Sequence, residues 1–221
     1  MNEIHSPFRF LSEPEIAAVF SRFREANAHP ESELKAPNPF TLLVSVVLSA
    51  QATDKSVNKA TEALYKVADT PKKMADLGEE KLIEYIRTIG LYRSKARHVI
   101  ELSRILDERY GGEIPDSREA LESLPGVGRK TANVVLNVVF HRPTMPVDTH
   151  LLRIAPRIGL SDGKTPLQVE NDLLRVIPEE YLEHAHHWLI LHGRYICTAR
   201  KPQCETCPIA DICKRNGVKE D

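Results

Sequence analysis

The sequence predicts an all-α fold. Three observations point there: strand signals are nearly absent, helix-start signals recur from end to end, and the 15 prolines fall mostly at helix starts or in connections. Ser12-Glu13-Pro14-Glu15 is a capping box with proline in the first turn, and Ile16, Val19, Phe20 and Phe23 follow at helical spacing. Asn38-Pro39 opens Phe40 to Ala50, apolar almost all round and therefore a buried central helix. Asp54 caps a helix through Val67, Thr70-Pro71 starts a short one, and Glu79 to Thr88 forms another that ends at Gly90. Ser94 to Tyr110 is long and amphipathic, closed by Gly111-Gly112, and Ser117 to Ser123 is short. Arg129 to Phe140, Thr149 to Ile158, Pro166 to Val176 and Glu179 to Ile196 complete the set.

A chain of 221 residues holds one large domain or two small ones, with enough length to bury a core. Apolar residues at 42% and charged residues at 28% exclude an intrinsically disordered chain. The longest nearly apolar run, Thr41 to Ala50, is too short to cross a bilayer and is interrupted by Ser45 and Ser49. Met1 to Phe10 lacks the apolar centre of a secretory signal, which makes a cytoplasmic protein the expectation. The net charge of −1 neither demands nor forbids a nucleic-acid partner, because the distribution of charge over the surface decides that.

All four cysteines lie near the end, Cys197, Cys204, Cys207 and Cys213, in the pattern C-x6-C-x2-C-x5-C. Clustered thiols in a chain without an export signal read as a metal site rather than as disulfides. Structural zinc usually takes two short knuckles, whereas only Cys204 and Cys207 are closely spaced. The wider loops suit a cubane whose irons each take one thiolate. Spacing therefore favours a [4Fe–4S] cluster, with zinc and a disulfide-stapled tail as alternatives.

Leu124-Pro125-Gly126-Val127-Gly128-Arg129-Lys130 sits between two helices. The glycines permit backbone angles that turn N–H groups outward, at a helix N-terminus whose dipole favours an anion. Leu124 and Val127 can pack inward and fix the helices. This is a helix–hairpin–helix, which grips nucleic-acid phosphate without reading sequence. Lys130 follows at the second helical position. The helix dipole and Arg129 favour a neutral, nucleophilic amine there, but a lysine that contacts phosphate is an equally good reading. Eighteen residues on, Pro146-Val147-Asp148-Thr149-His150 puts Asp148 at a helix start, either as a cap or as a carboxylate that assists attack at a sugar C1′.

The hairpin with its lysine, Val147-Asp148-Thr149-His150, the cysteine pattern, Leu48-Ser49-Ala50-Gln51-Ala52-Thr53-Asp54 and His186-His187-Trp188-Leu189-Ile190-Leu191-His192-Gly193-Arg194 together resemble the endonuclease III family. The likeness runs from about Ser12 to Cys213. It implies two all-α domains separated by a cleft: a six-helix barrel over 32–142 with the hairpin and Lys130, and a second domain from 1–31 and 143–221 with Asp148 and a [4Fe–4S] cluster on the four cysteines. It implies a bifunctional DNA glycosylase and AP lyase acting on double-stranded DNA that holds oxidised pyrimidines, such as thymine glycol, or abasic sites. Lys130 would attack C1′ of a flipped nucleotide, β-elimination would cut 3′ to the lesion, and Asp148 would assist the glycosidic step. Gly126, Val127, Gly128 and Arg129 would hold phosphate. Gln51 would fill the gap left by the flipped base, and Ile89 and Leu91 would wedge near the opposite strand. On their own residues these last three read as a helix-end glutamine and packed core. Arg200 and Lys201, in the loop from Cys197 to Cys204, lean toward DNA contact over a solvated pair.

Pro146 stands where this family commonly has a small residue. It stiffens the entry to the Asp148 helix without touching the chemistry. The related adenine glycosylase branch lacks a lysine at the position of Lys130 and normally carries a further C-terminal domain, whereas this chain has the lysine and ends eight residues after Cys213. A non-catalytic cluster-bearing protein would leave Lys130 with Asp148 unexplained. His150 reads as a helix-start residue, and His184, His186 and His187 as packed side chains rather than metal ligands. A monomer is expected, since one damaged duplex calls for no two-fold symmetry.

Phosphate contact predicts a binding constant for duplex DNA that falls linearly with salt on a double-logarithmic plot. A titration at several salt concentrations checks it, and a flat response would count against a phosphate-gripping hairpin.

Overall fold

The computed structural model describes residues 8–218. Among them the chain is all-helical, with no strand. It divides into two compact units: Ser32–Arg142, and the segments on either side, through Glu31 and from Pro143 onward.

The continuous unit holds α2 (Pro39–Ser49), α3 (Asp54–Leu64), α4 (Pro71–Leu77), α5 (Glu79–Ile86), α6 (Tyr92–Tyr110), α7 (Arg118–Glu122) and α8 (Arg129–Phe140), numbered after α1 of the other unit. Asn38 caps α2 by accepting from the Thr41 N–H at 2.9 Å. Leu43, Val44, Val47 and Leu48 of α2 bury against α3, α6 and α8, so this helix is the centre of the core. Burial all round leaves its polar side chains to be satisfied internally. The Tyr65 hydroxyl donates to the Thr41 carbonyl at 3.0 Å and meets the Ser45 hydroxyl at 2.6 Å.

Several expected boundaries move: the helix from Glu79 ends at Ile86 instead of Thr88, and α3 and α6 shift as well. The cap of α3 is Thr53, which accepts from the Ser56 N–H, and the helix stops at Leu64 because Val67 and Ala68 close turns onto the Leu64 carbonyl. α6 begins two residues before Ser94, since Leu91 takes a left-handed conformation and becomes the residue that precedes the helix.

The second unit joins α1 (Glu13–Ala26) to α9 (Thr149–Ile158), α10 (Pro166–Val176), α11 (Glu179–Tyr195) and a single 3-10 turn at Cys204–Thr206. Glu15 accepts from both the Ser12 N–H and its hydroxyl, closing the entry to α1. The apolar face of α1 buries Ile16, Val19, Phe20 and Phe23. Phe20 stacks on Tyr181 of α11 with centroids 5.8 Å apart, and the Trp188 indole N–H donates to the Asn27 carbonyl at 2.7 Å. Ion pairs bind α1 to the far end of the chain: Arg22 with Asp211, and Glu15 with Lys214. Among the described residues no helix is long and apolar enough to cross a membrane.

His186 and His187 lie buried on α11. Burial, helped by nearby His184, pushes the His187 imidazole down to about 4. A lowered folded value means that the unfolded chain takes up the proton first as pH falls. Stability is therefore lost from the ordinary value near 6.5 down to about 4 and levels off below. Between pH 7 and pH 5 this group is expected to cost about 1–2 kcal/mol. Urea unfolding at the two pH values checks it, and His187→Gln should flatten that part of the slope.

Candidate active site and cluster centre

The sequence Leu124-Pro125-Gly126-Val127 closes a turn in which the Val127 N–H donates to the Leu124 carbonyl at 3.1 Å. Proline second and glycine third is the signature of a type II turn, and Gly126 has the positive φ, 77°, that the third place needs. Leu124 and Val127 are buried in the core of their unit, while Gly126, Gly128 and Arg129 are exposed. Gly128 precedes α8, and the leading N–H groups of a helix lie outside its own hydrogen-bond ladder. Arg118 Nε of α7 donates to the Asn133 side-chain Oδ1 on α8 at 3.1 Å, which ties the two helices that flank the hairpin. Lys130, half-buried, occupies the second position of α8.

Gln51 and Leu91 are both exposed and both left-handed, with φ of 55° and 59°. Ile89, two residues from Leu91, differs sharply. It is 2% exposed against 62% for Leu91, and it packs into the core with Ile86 and Leu82. The expected pair of wedging side chains is therefore one exposed leucine and one buried isoleucine, with Ile89 closing the turn onto the Ile86 carbonyl.

In the other unit Asp148 caps α9, and its Oδ1 accepts from the His150 N–H at 2.8 Å and the Leu151 N–H at 3.0 Å. Both bonds fall on one oxygen. Oδ2 has no hydrogen bond among the described residues, so capping leaves half of the carboxylate for other work. The His150 ring lies 3.3 Å from an Arg153 nitrogen.

The four cysteines are all free thiols and all line one cavity of about 350 Å³ of empty space, part of it open to solvent. That excludes the disulfide-stapled tail. Among the described residues no three His, Cys, Asp or Glu side chains are grouped to hold a single metal ion, so the thiols ring the cavity instead of meeting at one point. Arg157 and Arg215 also line it, and Arg157 donates toward the Cys197 sulfur at 3.8 Å, which supplies positive charge where thiolates gather. Burial pushes the Cys207 thiol up to about 11 and the Cys213 thiol upward as well. Thiolates there call for bound cationic metal. Four sulfurs spread around a cavity, rather than gathered at one point, fit a cubane cluster better than one tetrahedral zinc.

Two arginines that drew no attention in the sequence hold the cysteine loop. Arg153 donates to the Gly193 and Cys197 carbonyls, and Arg157 to the Thr198 and Ala199 carbonyls at 2.8 and 2.9 Å. Their i, i+4 spacing on the helix capped by Asp148 was the available signal. Arg200 and Lys201 are exposed at the tip of this braced loop, where the Thr198 hydroxyl donates to the Lys201 carbonyl at 2.6 Å.

Comparison with known proteins follows this geometry closely. Residues 44–179 match the family model for the HhH-GPD superfamily base excision DNA repair protein. Residues 197–213 match that of the iron–sulfur binding domain of endonuclease III. Endonuclease III of Treponema pallidum (strain Nichols) is 60% identical over 95% of this chain and 100% of its own length. The chain belongs to the endonuclease III family.

Endonuclease III of Escherichia coli (strain K12) is 57% identical over 89% of this chain and 93% of its own. Among solved structures, a trapped endonuclease III–DNA covalent intermediate in its estranged-adenine complex matches with a TM-score of 0.86 and 42% identity, covering 94% of this chain and 98% of that one. A thermostable thymine-DNA glycosylase, 22% identical with a TM-score of 0.79, shares the fold over 92% of this chain and 97% of its own. As a member of the endonuclease III family the protein is a base-excision repair enzyme, a DNA glycosylase and AP lyase that binds DNA and carries a [4Fe–4S] cluster.

A Cβ at Gly126 would sit 3.0 Å from the His98 side chain at a φ that disfavours any Cβ, whereas one at Gly128 meets nothing within 4 Å. Gly126→Ala is expected to destabilise by about 1–2 kcal/mol and Gly128→Ala by about 0.5 kcal/mol. Urea midpoints of the two variants check the contrast.

Proposed function

We propose that the enzyme removes oxidised pyrimidines such as thymine glycol from duplex DNA and cleaves 3′ to the resulting abasic site through a Schiff base on Lys130. The observation that carries this reading is the position of Lys130, on the first turn of the helix that follows the hairpin, half-buried and two residues after the exposed Gly128. A relative of 42% identity trapped as a covalent intermediate with DNA supports a protein nucleophile.

The hairpin, through Gly126, Val127, Gly128 and Arg129, holds the phosphate backbone and so fixes where the sugar lies. The Lys130 Nζ lone pair attacks C1′ as the C1′–N bond breaks, and the base leaves with the bonding pair and a proton. Loss of a proton from Nζ and opening of the C1′–O4′ bond, with O4′ taking a proton, convert the resulting aminal into an iminium, which acidifies the 2′ position. Loss of a 2′ proton then drives out the 3′ phosphate, which completes β-elimination. A pre-formed abasic site reaches the same iminium by condensation of its C1′ aldehyde with Lys130 and loss of water. Asp148, held by its Oδ1 bonds, presents Oδ2 to stabilise positive character on the sugar or to take the amine proton. Gln51 fills the space of the flipped nucleotide and Leu91 wedges beside the opposite strand; both are exposed tips. Ile89, buried in the core, anchors the turn that precedes Leu91. Arg200 and Lys201 contact phosphate from the cysteine loop.

Cys197, Cys204, Cys207 and Cys213 hold the cluster, whose four sulfur ligands leave no iron open, so it supplies structure and DNA positioning. The enzyme works as a monomer in the cytoplasm, on double-stranded DNA.

Borohydride reduction of a mixture with a thymine-glycol duplex should trap a covalent protein–DNA adduct, and Lys130→Ala should give none. An equal adduct from both proteins would remove Lys130 as the nucleophile. No adduct from either, in protein that binds the duplex, would leave a glycosylase without the lyase step.

A further inference from the structure

The two exposed tips of the continuous unit share an unusual backbone and one hidden support. Among the described residues only Gln51, Leu91, His141 and Arg215 are non-glycine residues with positive φ. The turn after α2 is closed by the Ala52 N–H donating to the Ser49 carbonyl at 3.0 Å. Ala50 stands at φ −56° and ψ 116°, and Gln51 at φ 55°, which is a type II turn with glutamine in the place that glycine normally takes. Leu91 at φ 59° and ψ 26° leaves a large apolar side chain 62% exposed, so no burial offsets its backbone. Strain of this kind persists only where neighbouring structure holds it.

One residue touches both tips. Lys95 on α6 is 5% exposed, and its Nζ donates to the Ala50 carbonyl at 2.7 Å and the Leu48 carbonyl at 2.9 Å. Its backbone N–H donates to the Leu91 carbonyl at 3.1 Å. No carboxylate pairs with it in any ion pair among the described residues; its acceptors are the Leu48 carbonyl in the last turn of α2, at the negative end of the helix dipole, and the carbonyl of Ala50 just past that helix. The two β-turn types differ by a flip of the central peptide, here Ala50–Gln51. The ammonium holds the Ala50 carbonyl on the side that the type II form requires.

We infer that Lys95 is a positioning residue for damage recognition: it selects the type II turn at Gln51, links that turn to Leu91, and so presents the two side chains to DNA as one pre-set pair. The inference rests on the proposed roles of Gln51 and Leu91. Without Lys95 the peptide is free to flip to the type I form, in which Gln51 relaxes to negative φ and swings off its course. Burial pushes the Lys95 ammonium below the usual lysine range, but two charge-assisted acceptors oppose that, so the charged form does the holding.

The test compares wild-type and Lys95→Met cluster-loaded protein on two duplexes, one undamaged and one with a tetrahydrofuran abasic-site analogue. Wild-type protein that does not prefer the analogue sinks the functional reading itself. Given that preference, Lys95→Met should lose about tenfold or more of its affinity for the analogue while its undamaged-duplex affinity stays within about twofold. Adding Lys95→Met to Gln51→Ala should cost little beyond Gln51→Ala alone. A folded Lys95→Met protein with undiminished preference, with equal loss on both duplexes, or with fully additive losses overturns the inference. If Lys95→Met does not fold, the wild-type protein decides: nitrogen-15 spectra at pH 7 should show a slowly exchanging Lys95 ammonium and left-handed shifts for Gln51. Absence of either signal overturns it.

Discussion

A helix cannot satisfy its own terminal N–H and C=O groups, and an all-α chain built from short helices has many such ends. That constraint organises this protein. Apart from Arg200 and Lys201 in the cysteine loop, the residues proposed for chemistry or for DNA contact stand at helix ends: Gln51 just past α2, Leu91 just before α6, the hairpin and Lys130 at the start of α8, and Asp148 at the start of α9. Ends that need partners are ends that can hold phosphate, orient a carboxylate or carry an unusual backbone angle. Helix middles such as that of α2, buried on every side, supply the rigidity against which the ends are held.

The two readings of Asp148, cap and functional carboxylate, turn out to be compatible. Capping uses one oxygen for two N–H groups and leaves the second oxygen with a fixed direction. Loss of the carboxylate would therefore disturb α9 as well as any chemistry. Arg153 and Arg157, one and two turns farther along the same helix, carry that stiffness into the loop before Cys204. A single helix thus supports both the carboxylate and the cysteine loop within its unit.

Much of the fold was legible because its punctuation is local. α8, α9 and α10 run between the residues that glycine, threonine–proline and capping signals indicate. The site was less legible where its geometry comes from distant residues. Nothing about a leucine announces a left-handed angle, so the true start of α6 lay two residues before its serine. Ile89 and Leu91 look alike in sequence and differ almost completely in exposure, because a single turn separates core from surface. Lys95 reads as one more lysine on an amphipathic helix, since its carbonyl partners lie 45 and 47 residues away. The resemblance carried by dense motifs named the family. It could not reveal these supports, which depend on contacts rather than on motifs.

The ion pairs that fasten α1 to the tail have a consequence for how the molecule is made. α1 is synthesised before the continuous unit, yet the partners of its apolar face are Tyr181 and Trp188, and the partners of its charges are Asp211 and Lys214. On the ribosome it must wait, unpaired, while the continuous unit between Ser32 and Arg142 has everything it needs to close. The birth order of the residues is therefore the reverse of their order of settling. The earlier helix docks later, in the same stage at which the segment that carries the four thiols joins its unit.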